Sequence, residues 1–208
     1  MHVRKVFFDM NLILASASPR RRELLTQVGV SFEIEVSDVD EVLDDTLSPE
    51  QQVQSLAMQK AQAVASQRKD GLVLGADTVV VDAGSLLGKP HSTEEAAEML
   101  RNLSGKWHQV MTAVALVDAN DIENKWTSVE ITNVKFRDLT EEDIAAYMAT
   151  GESMDKAGAY GIQGYGALLV ERIEGCYNNV VGLPLQLVAK GLRNWGINLY
   201  EYKEVQAQ

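Results

Sequence analysis

The chain has 208 residues, 46% of them hydrophobic and 24% charged, a globular composition whose length suits one sizeable domain or two small lobes. A formal net charge of -11 excludes a broad basic surface of the kind that follows a nucleic-acid backbone, so any polyanion must be held at a local site. The single cysteine, Cys176, precludes an internal disulfide, and no apolar run of about 18 residues is available to span a bilayer. The first ten residues lack the apolar core and small-residue cleavage site of a secretory signal. The cytoplasm is the expected compartment, with residues 1–11 an N-terminal extension ahead of a single domain over 12–208.

Residues 12–15 read as a buried strand. Ser18 then serves as an N-cap, with Pro19 at the first helical position before a helix over 20–28 that Gly29 closes. A second strand is expected over 32–36, before an acidic stretch containing Asp38, Asp40, Glu41, Asp44 and Asp45. Ser48-Pro49-Glu50-Gln51 carries a capping box into a long helix. Its stripe of Val53, Leu56, Ala57, Lys60, Ala61 and Val64 places a lysine on or near the apolar face. Residues 72–81 read as a buried strand interrupted at Gly75-Ala76-Asp77-Thr78. Ser92-Thr93-Glu94-Glu95 reads as a capping box leading into a helix to about Leu103, and strands over 109–117 and 126–136 follow, joined by a polar turn over 118–124. Thr140 caps a helix to about Thr150, residues 151–182 are rich in glycine, and Leu183-Pro184-Leu185 leads into a closing helix ending near Asn194. Alternating elements followed by an antiparallel pair predict a mixed α/β fold, with a central mixed sheet, much of it antiparallel, flanked by helices.

Arg20, Arg21 and Arg22 occupy the first turn of the first helix, where the dipole favours Asp or Glu. A bound anion resolves that conflict, held by free helix N–H groups, the hydroxyls of Ser16 and Ser18, and the planar arginine forks. The alternative is that the arginines are solvated or paired with distant acids. Asp77 lies within an apolar run, where an unpaired charge is costly; it suits cation binding, proton abstraction from water, or the organisation of a turn. Lys89, between Gly88 and Pro90, is held in a turn from which an ammonium reaches a phosphate or simply solvent. In residues 155–164 small side chains let the backbone approach a ligand, and Gln163 offers paired donor and acceptor atoms to a base edge or to water. His2, His91 and His108 are too scattered for a local metal motif, and neither a Walker A pattern nor a dinucleotide-binding glycine fingerprint is present.

Four collinear segments carry a resemblance: Leu14-Ala15-Ser16-Ala17-Ser18-Pro19-Arg20-Arg21, Gly75-Ala76-Asp77-Thr78, Gly88-Lys89-Pro90, and Asp155-Lys156-Ala157-Gly158-Ala159-Tyr160-Gly161-Ile162-Gln163-Gly164. Together they resemble the Maf family of nucleotide pyrophosphatases, from about Leu12 to about Gly191. The resemblance implies a deep cleft between two lobes, in a fold similar to that of the inosine-triphosphate pyrophosphatases. It also implies hydrolysis between the α- and β-phosphates of a nucleoside triphosphate, with magnesium or manganese as cofactor. Ser16, Arg21, Lys60 and Lys89 match phosphate-binding positions, and Asp77 matches the proton acceptor. Glu41 matches a carboxylate associated with metal or water, with Asp38 and Asp40 as competitors in the alignment; Glu41 and Asp77 are the expected cation ligands. Arg20, Thr78 and Gln163 resemble the specificity positions of the branch acting on dTTP and UTP, whereas the branch preferring 7-methyl-GTP has tryptophan after the proline. The N-terminal extension and Ala17, where glycine or threonine is common, depart from the pattern. The expected partner is a small nucleotide and at most a second copy in a homodimer, with neither nucleic acid nor membrane. The alternative is a nucleotide-binding regulator of cell division that does not hydrolyse, which leaves Asp77 without a task.

Overall fold

A computed structural model describes residues 11–200 except 37–41 and 45. The expected extension up to residue 10, and Asp38, Asp40 and Glu41, lie outside the described residues. The elements in order are β1 (Leu12–Leu14), α1 (Pro19–Gln27), β2 (Glu33–Ile34), α2 (Pro49–Ala65), β3 (Leu72–Asp82), β4 (Ser85–Leu87) and α3 (Thr93–Leu103). There follow β5 (Trp107–Asp118), β6 (Asp121–Phe136), α4 (Glu141–Ala149), β7 (Val170–Glu174), α5 (Tyr177–Val181) and α6 (Leu185–Leu192). The sheet runs β2-β1-β3-β5-β6-β7, with β4 also on β3. β1 is parallel to β2 and β3, and every other pairing is antiparallel, which bears out the mixed sheet.

Local chemistry explains most of these elements. Ser48 and Gln51 form the expected capping box of α2, and Thr140 and Asp143 form one on α4, each satisfying helix N–H groups that otherwise lack partners. On α3 only half of the expected box forms: Ser92 Oγ accepts from the Glu95 N–H at 3.1 Å, while the Glu95 carboxylate accepts from the His91 N–H at 2.7 Å instead of from that of Ser92. Val53, Leu56, Ala57, Ala61 and Val64 are all buried beneath α2. β3 is one continuous strand of 11 residues that carries the small and polar residues 75–78 within it, as expected. Its small residue has another purpose: a Cβ on Gly75 would stand 2.4 Å from the Ala57 carbonyl oxygen, so the glycine admits α2 against the sheet.

The hairpin between β5 and β6 turns at Ala119-Asn120, and the polar residues 121–125 are exposed strand instead of turn. Residues 122–124 lie in a register shift between the pairs Val117 with Lys125 and Asp118 with Asp121, where they have no ladder partner on β5. β2 is shorter than expected: its ladder to β1 holds only Glu33 and Ile34, extended by one backbone bond from the Glu35 N–H to the Leu14 carbonyl at 3.1 Å. β4, β7 and α5 were not expected; the first follows a two-residue turn at Ala83 and Gly84, both with positive φ (47° and 84°), the backbone of a tight hairpin.

Three apolar clusters form the core. Because side chains alternate along a strand, Leu72, Leu74 and Ala76 of β3 face one cluster with α1 and α6, while Val73 and Val81 face α2. The third, around Val80, Val110, Phe136 and Tyr160, is covered by α3 and α4. On the face shared by the first and third clusters, Thr78 and Thr112 interrupt the apolar surface between them. The fold thus has two apolar halves separated by a polar band.

His108, 3% exposed in the third cluster, packs edge-on against Phe136 and Tyr160 and hydrogen-bonds the Tyr160 hydroxyl through Nε2 at 2.7 Å. Burial lowers its pKa from 6.5 to about 4. The unfolded chain therefore binds the extra proton first. His108 costs no stability above about pH 6.5, and its penalty grows as pH falls toward 4, reaching about 3 kcal/mol. The melting temperature of His108→Phe is expected to fall less steeply between pH 6.5 and 4 than that of the parent. Parallel slopes would show that His108 does not titrate in this way.

Candidate active site

β1 and β4 lie along the same edge of β3 and leave a gap between them. β1 pairs with Leu72, Val73 and Leu74, ending with the Ala15 N–H on the Leu74 carbonyl at 2.9 Å, and β4 pairs with residues 80–82. Along the open stretch, Asp77 turns toward α2 and Thr78 toward the opposite face, so side chains from both faces reach one opening. A cleft of about 670 Å³ occupies it, bordered by the loop after β1, the first turn of α1, β3, and residues 152–164. Ser16, Arg20, Arg21, Lys60, Asp77, Thr78, Lys89 and Gln163 all line it. Every described residue expected at the site is therefore brought together, from segments up to 147 positions apart (16 to 163); Glu41 lies outside the described residues.

Asp77 is 8% exposed and sits within the β3–β5 ladder opposite Ala113, which removes the turn-forming alternative. Its Oδ1 accepts a hydrogen bond from Lys60 Nζ at 2.5 Å. The lysine on the apolar stripe of α2 thus offsets a carboxylate that would otherwise be costly so deep. Among the described residues, no group of three or more His, Cys, Asp or Glu forms a cation cage.

Arg21 is 9% exposed. It donates from Nε to the Gly182 carbonyl (2.9 Å), from Nη1 to Ser16 Oγ (3.1 Å) and from Nη2 to Thr78 Oγ1 (3.1 Å). The guanidinium joins three chain segments at the cleft wall, which fixes the orientation of its planar fork. Ser16 Oγ also accepts from the Ser18 N–H (3.2 Å), so its own hydrogen has no acceptor among the described residues. Ser18 takes the N-cap position of α1 as expected but makes no side-chain capping bond, and α1 has no acid in its first turn. The helix start at the cleft consequently retains its positive character. Arg20 reaches across to Asp155 at 3.7 Å, and Asp155 is also held by Lys156 at 2.5 Å.

The glycine-rich segment is tied to the lysine turn, since the Gly158 N–H donates to the Gly88 carbonyl at 3.0 Å. Gly158 has a φ of 67° and would set a Cβ 3.1 Å from Val80, so glycine answers both a left-handed backbone and a close approach. Lys89 and Gln163 are exposed within the cleft, in positions free to meet a ligand. Sequence reasoning missed Thr112, Asn179 and Glu152. Thr112 had a readable signal, a polar residue inside an apolar run, the same signal that marked Asp77. Glu152 lines the cleft and accepts from the N–H groups of Tyr165 and Gly166 (3.3 and 3.4 Å), which ties the two ends of the loop together.

Comparison with known proteins matches residues 11–195 to a family described as Maf-like protein. The dTTP/UTP pyrophosphatase of Acetivibrio thermocellus is 52% identical over 197 residues, covering 91% of this chain and 98% of its own. That of a Geobacillus species is 55% identical over 185 residues (89% and 98%), and that of Bacillus cereus 50% over 200 (96% and 97%). Among solved structures, a HAM1 protein from Coxiella burnetii overlaps 61% of this chain and 73% of its own, at 16% identity and a TM-score of 0.44. An overlap of that extent carries no argument about function.

Proposed function

The chain belongs to the Maf family, and on that premise we propose that it is a hydrolase cleaving dTTP and UTP to the nucleoside monophosphate and pyrophosphate, the substrates for which its relatives are named. The observation that carries this reading is the convergence of Ser16, Arg21, Lys60, Lys89 and Asp77 on one cleft of an acidic protein. Arg20, Arg21, Lys60, Lys89 and Lys156 gathered at one cleft of a chain with a net charge of -11 suit a small polyanion.

In this reading Arg21, Lys60, Lys89 and the α1 start hold the triphosphate, and Ser16 donates its uncommitted hydrogen to a phosphate oxygen. Asp77, with Oδ1 held by Lys60, accepts the proton of a water attacking the α-phosphorus; the bond to the bridging oxygen breaks and pyrophosphate departs. Positioning and electrostatic stabilisation supply most of the rate. Arg20, Thr78 and Gln163 face the nucleoside, with Thr78 acting only as an acceptor because its hydrogen is committed to Thr112.

A magnesium or manganese ion is assigned to Asp77 and Glu41. One deep carboxylate fits such an ion arriving with its substrate, because magnesium is usually bound through one or two carboxylates together with substrate phosphates. Bound there, the ion would offset charge on the phosphate oxygens. No described helix is long and apolar enough to cross a membrane; we take the cytoplasm as the compartment and residues 12–208 as one domain.

The test is pyrophosphate release with magnesium or manganese across dTTP, UTP, CTP, dATP, GTP and 7-methyl-GTP. Release mainly from dTTP and UTP, with monophosphate as co-product, is expected. Release mainly from 7-methyl-GTP overturns the specificity roles, and stoichiometric binding without turnover would favour the non-hydrolysing regulator.

A further inference from the structure

We propose that Thr112, which is fully buried and does not line the cleft, is a positioning residue for the phosphate site: it sets the proton direction of a buried chain that holds Arg21. The proposal rests on the placement of Arg21 at the triphosphate. Thr112 is fully buried in β5, directly across the ladder from Thr78 of β3. Its hydroxyl has one hydrogen and two neighbours, Thr78 Oγ1 and the Asn179 carbonyl oxygen, each at 2.9 Å. A carbonyl can only accept, so Thr112 donates to Asn179 and must accept from Thr78. Thr78 in turn has spent its hydrogen and presents a lone pair to Arg21 Nη2 at 3.1 Å. The chain runs one way, from guanidinium to Thr78 to Thr112 to the α5 backbone, and each bond strengthens the next.

A second connection reaches Arg21 from the other side. α5 is fastened to the sheet through Asn179, whose carbonyl takes the Thr112 hydrogen and whose amide donates to the Val110 carbonyl (2.9 Å) and Thr132 Oγ1 (2.8 Å). Thr132 completes the fastening, accepting from the Cys176 N–H at 3.0 Å and donating to the Cys176 carbonyl at 3.2 Å. Gly182, immediately after α5, supplies the carbonyl that receives Arg21 Nε. Thr112 thereby stands behind two of the three anchors of the guanidinium named above, and Ser16 is the third.

Thr112→Val is nearly isosteric and removes only the hydroxyl. In the folded variant, kcat/KM for dTTP is expected to fall about ten-fold, the equivalent of one hydrogen bond, mainly through KM. Thr112→Ser restores it, and the loss from Thr112→Val shrinks in a Thr78→Val background because the route to Arg21 through Thr78 is already broken there. Affinity for α,β-imido-dTTP, measured by calorimetry, should weaken in parallel. That readout survives even if the protein proves not to hydrolyse any nucleotide, so failure of the activity and failure of the positioning role are distinguishable. Should Thr112→Val not fold, Thr112→Ser is compared with Thr112→Ala. Unchanged affinity and kcat/KM in a folded hydroxyl-free variant, a serine variant as impaired as the truncated one, or fully additive losses in the double variant would overturn the proposal.

Discussion

Asp77→Asn is expected to lower kcat for pyrophosphate release by at least about a hundredfold while leaving nucleotide affinity, measured without the divalent cation, intact or slightly improved. The substitution preserves volume in a strand position that is 8% exposed and inside a continuous ladder, so the backbone of β3 has no reason to move. What it removes is the proton acceptor and one negative charge. At a site that gathers phosphates, losing a carboxylate reduces repulsion, and Lys60 becomes more available to the anion. A loss confined to kcat therefore distinguishes a base from a residue that merely orients Lys60, whose loss would raise KM. Steady-state kinetics with dTTP, alongside a melting curve to confirm the fold, makes the measurement. Unchanged turnover in a folded Asp77→Asn protein would remove Asp77 from the chemistry.

Gly75→Ala produces the second large effect, this time through packing. The added Cβ would meet the Ala57 carbonyl oxygen at 2.4 Å and the Ala61 N and Cβ at 2.9 Å. Two of those atoms are helix backbone, so no rotamer change relieves the clash and α2 must shift away from the sheet. Overpacking of this kind costs about 1–3 kcal/mol, or a melting temperature lower by several degrees in a chain of this size. The site suffers too, because Lys60 rides on α2 between the two points of contact and Asp77, and a shift lengthens the 2.5 Å ion pair. Scanning calorimetry and kinetics on the same preparation should both show the defect, with Gly75→Val worse in each. A melting curve superimposable on the parent would mean that the helix accommodates the methyl group and that the glycine has another reason.

The legible parts of the fold were those whose cause is local. Ser48, Gln51 and Thr140 announced their helices because a cap satisfies N–H groups only three residues away, and the stripe of α2 was visible because burial on one side imposes a helical period. Where cause is not local the reading slipped. Residues 118–124 looked like one turn because the exposed, irregular start of β6 shares a turn's composition. Gly75 showed as an interruption of the apolar run of β3, but its cause is a helix that passes over it from 14 residues earlier in the chain. β7 and α5 were obscured by the glycines around them, and Val170-Glu171-Arg172-Ile173-Glu174 shows no alternation, since only Val170 and Ile173 are partly buried.

By itself the sequence determined the mixed α/β class, the caps, the local positive site in an acidic chain, and the motif order that resembles the Maf family; each follows from residue type and spacing along the chain. Only the tertiary structure decided that Asp77 pairs with Lys60 and organises no turn, that Arg21 is clamped by Ser16, Thr78 and Gly182, and that Thr112 and Asn179 stand behind that clamp. The physical reason is register. The cleft exists because β1 stops at Leu14 and β4 begins only opposite Val81 and its neighbours, leaving an open edge on β3 where side chains from both faces meet. Strand pairing of that kind joins residues by hydrogen bonds across a sheet, and no local pattern records which strand will end where.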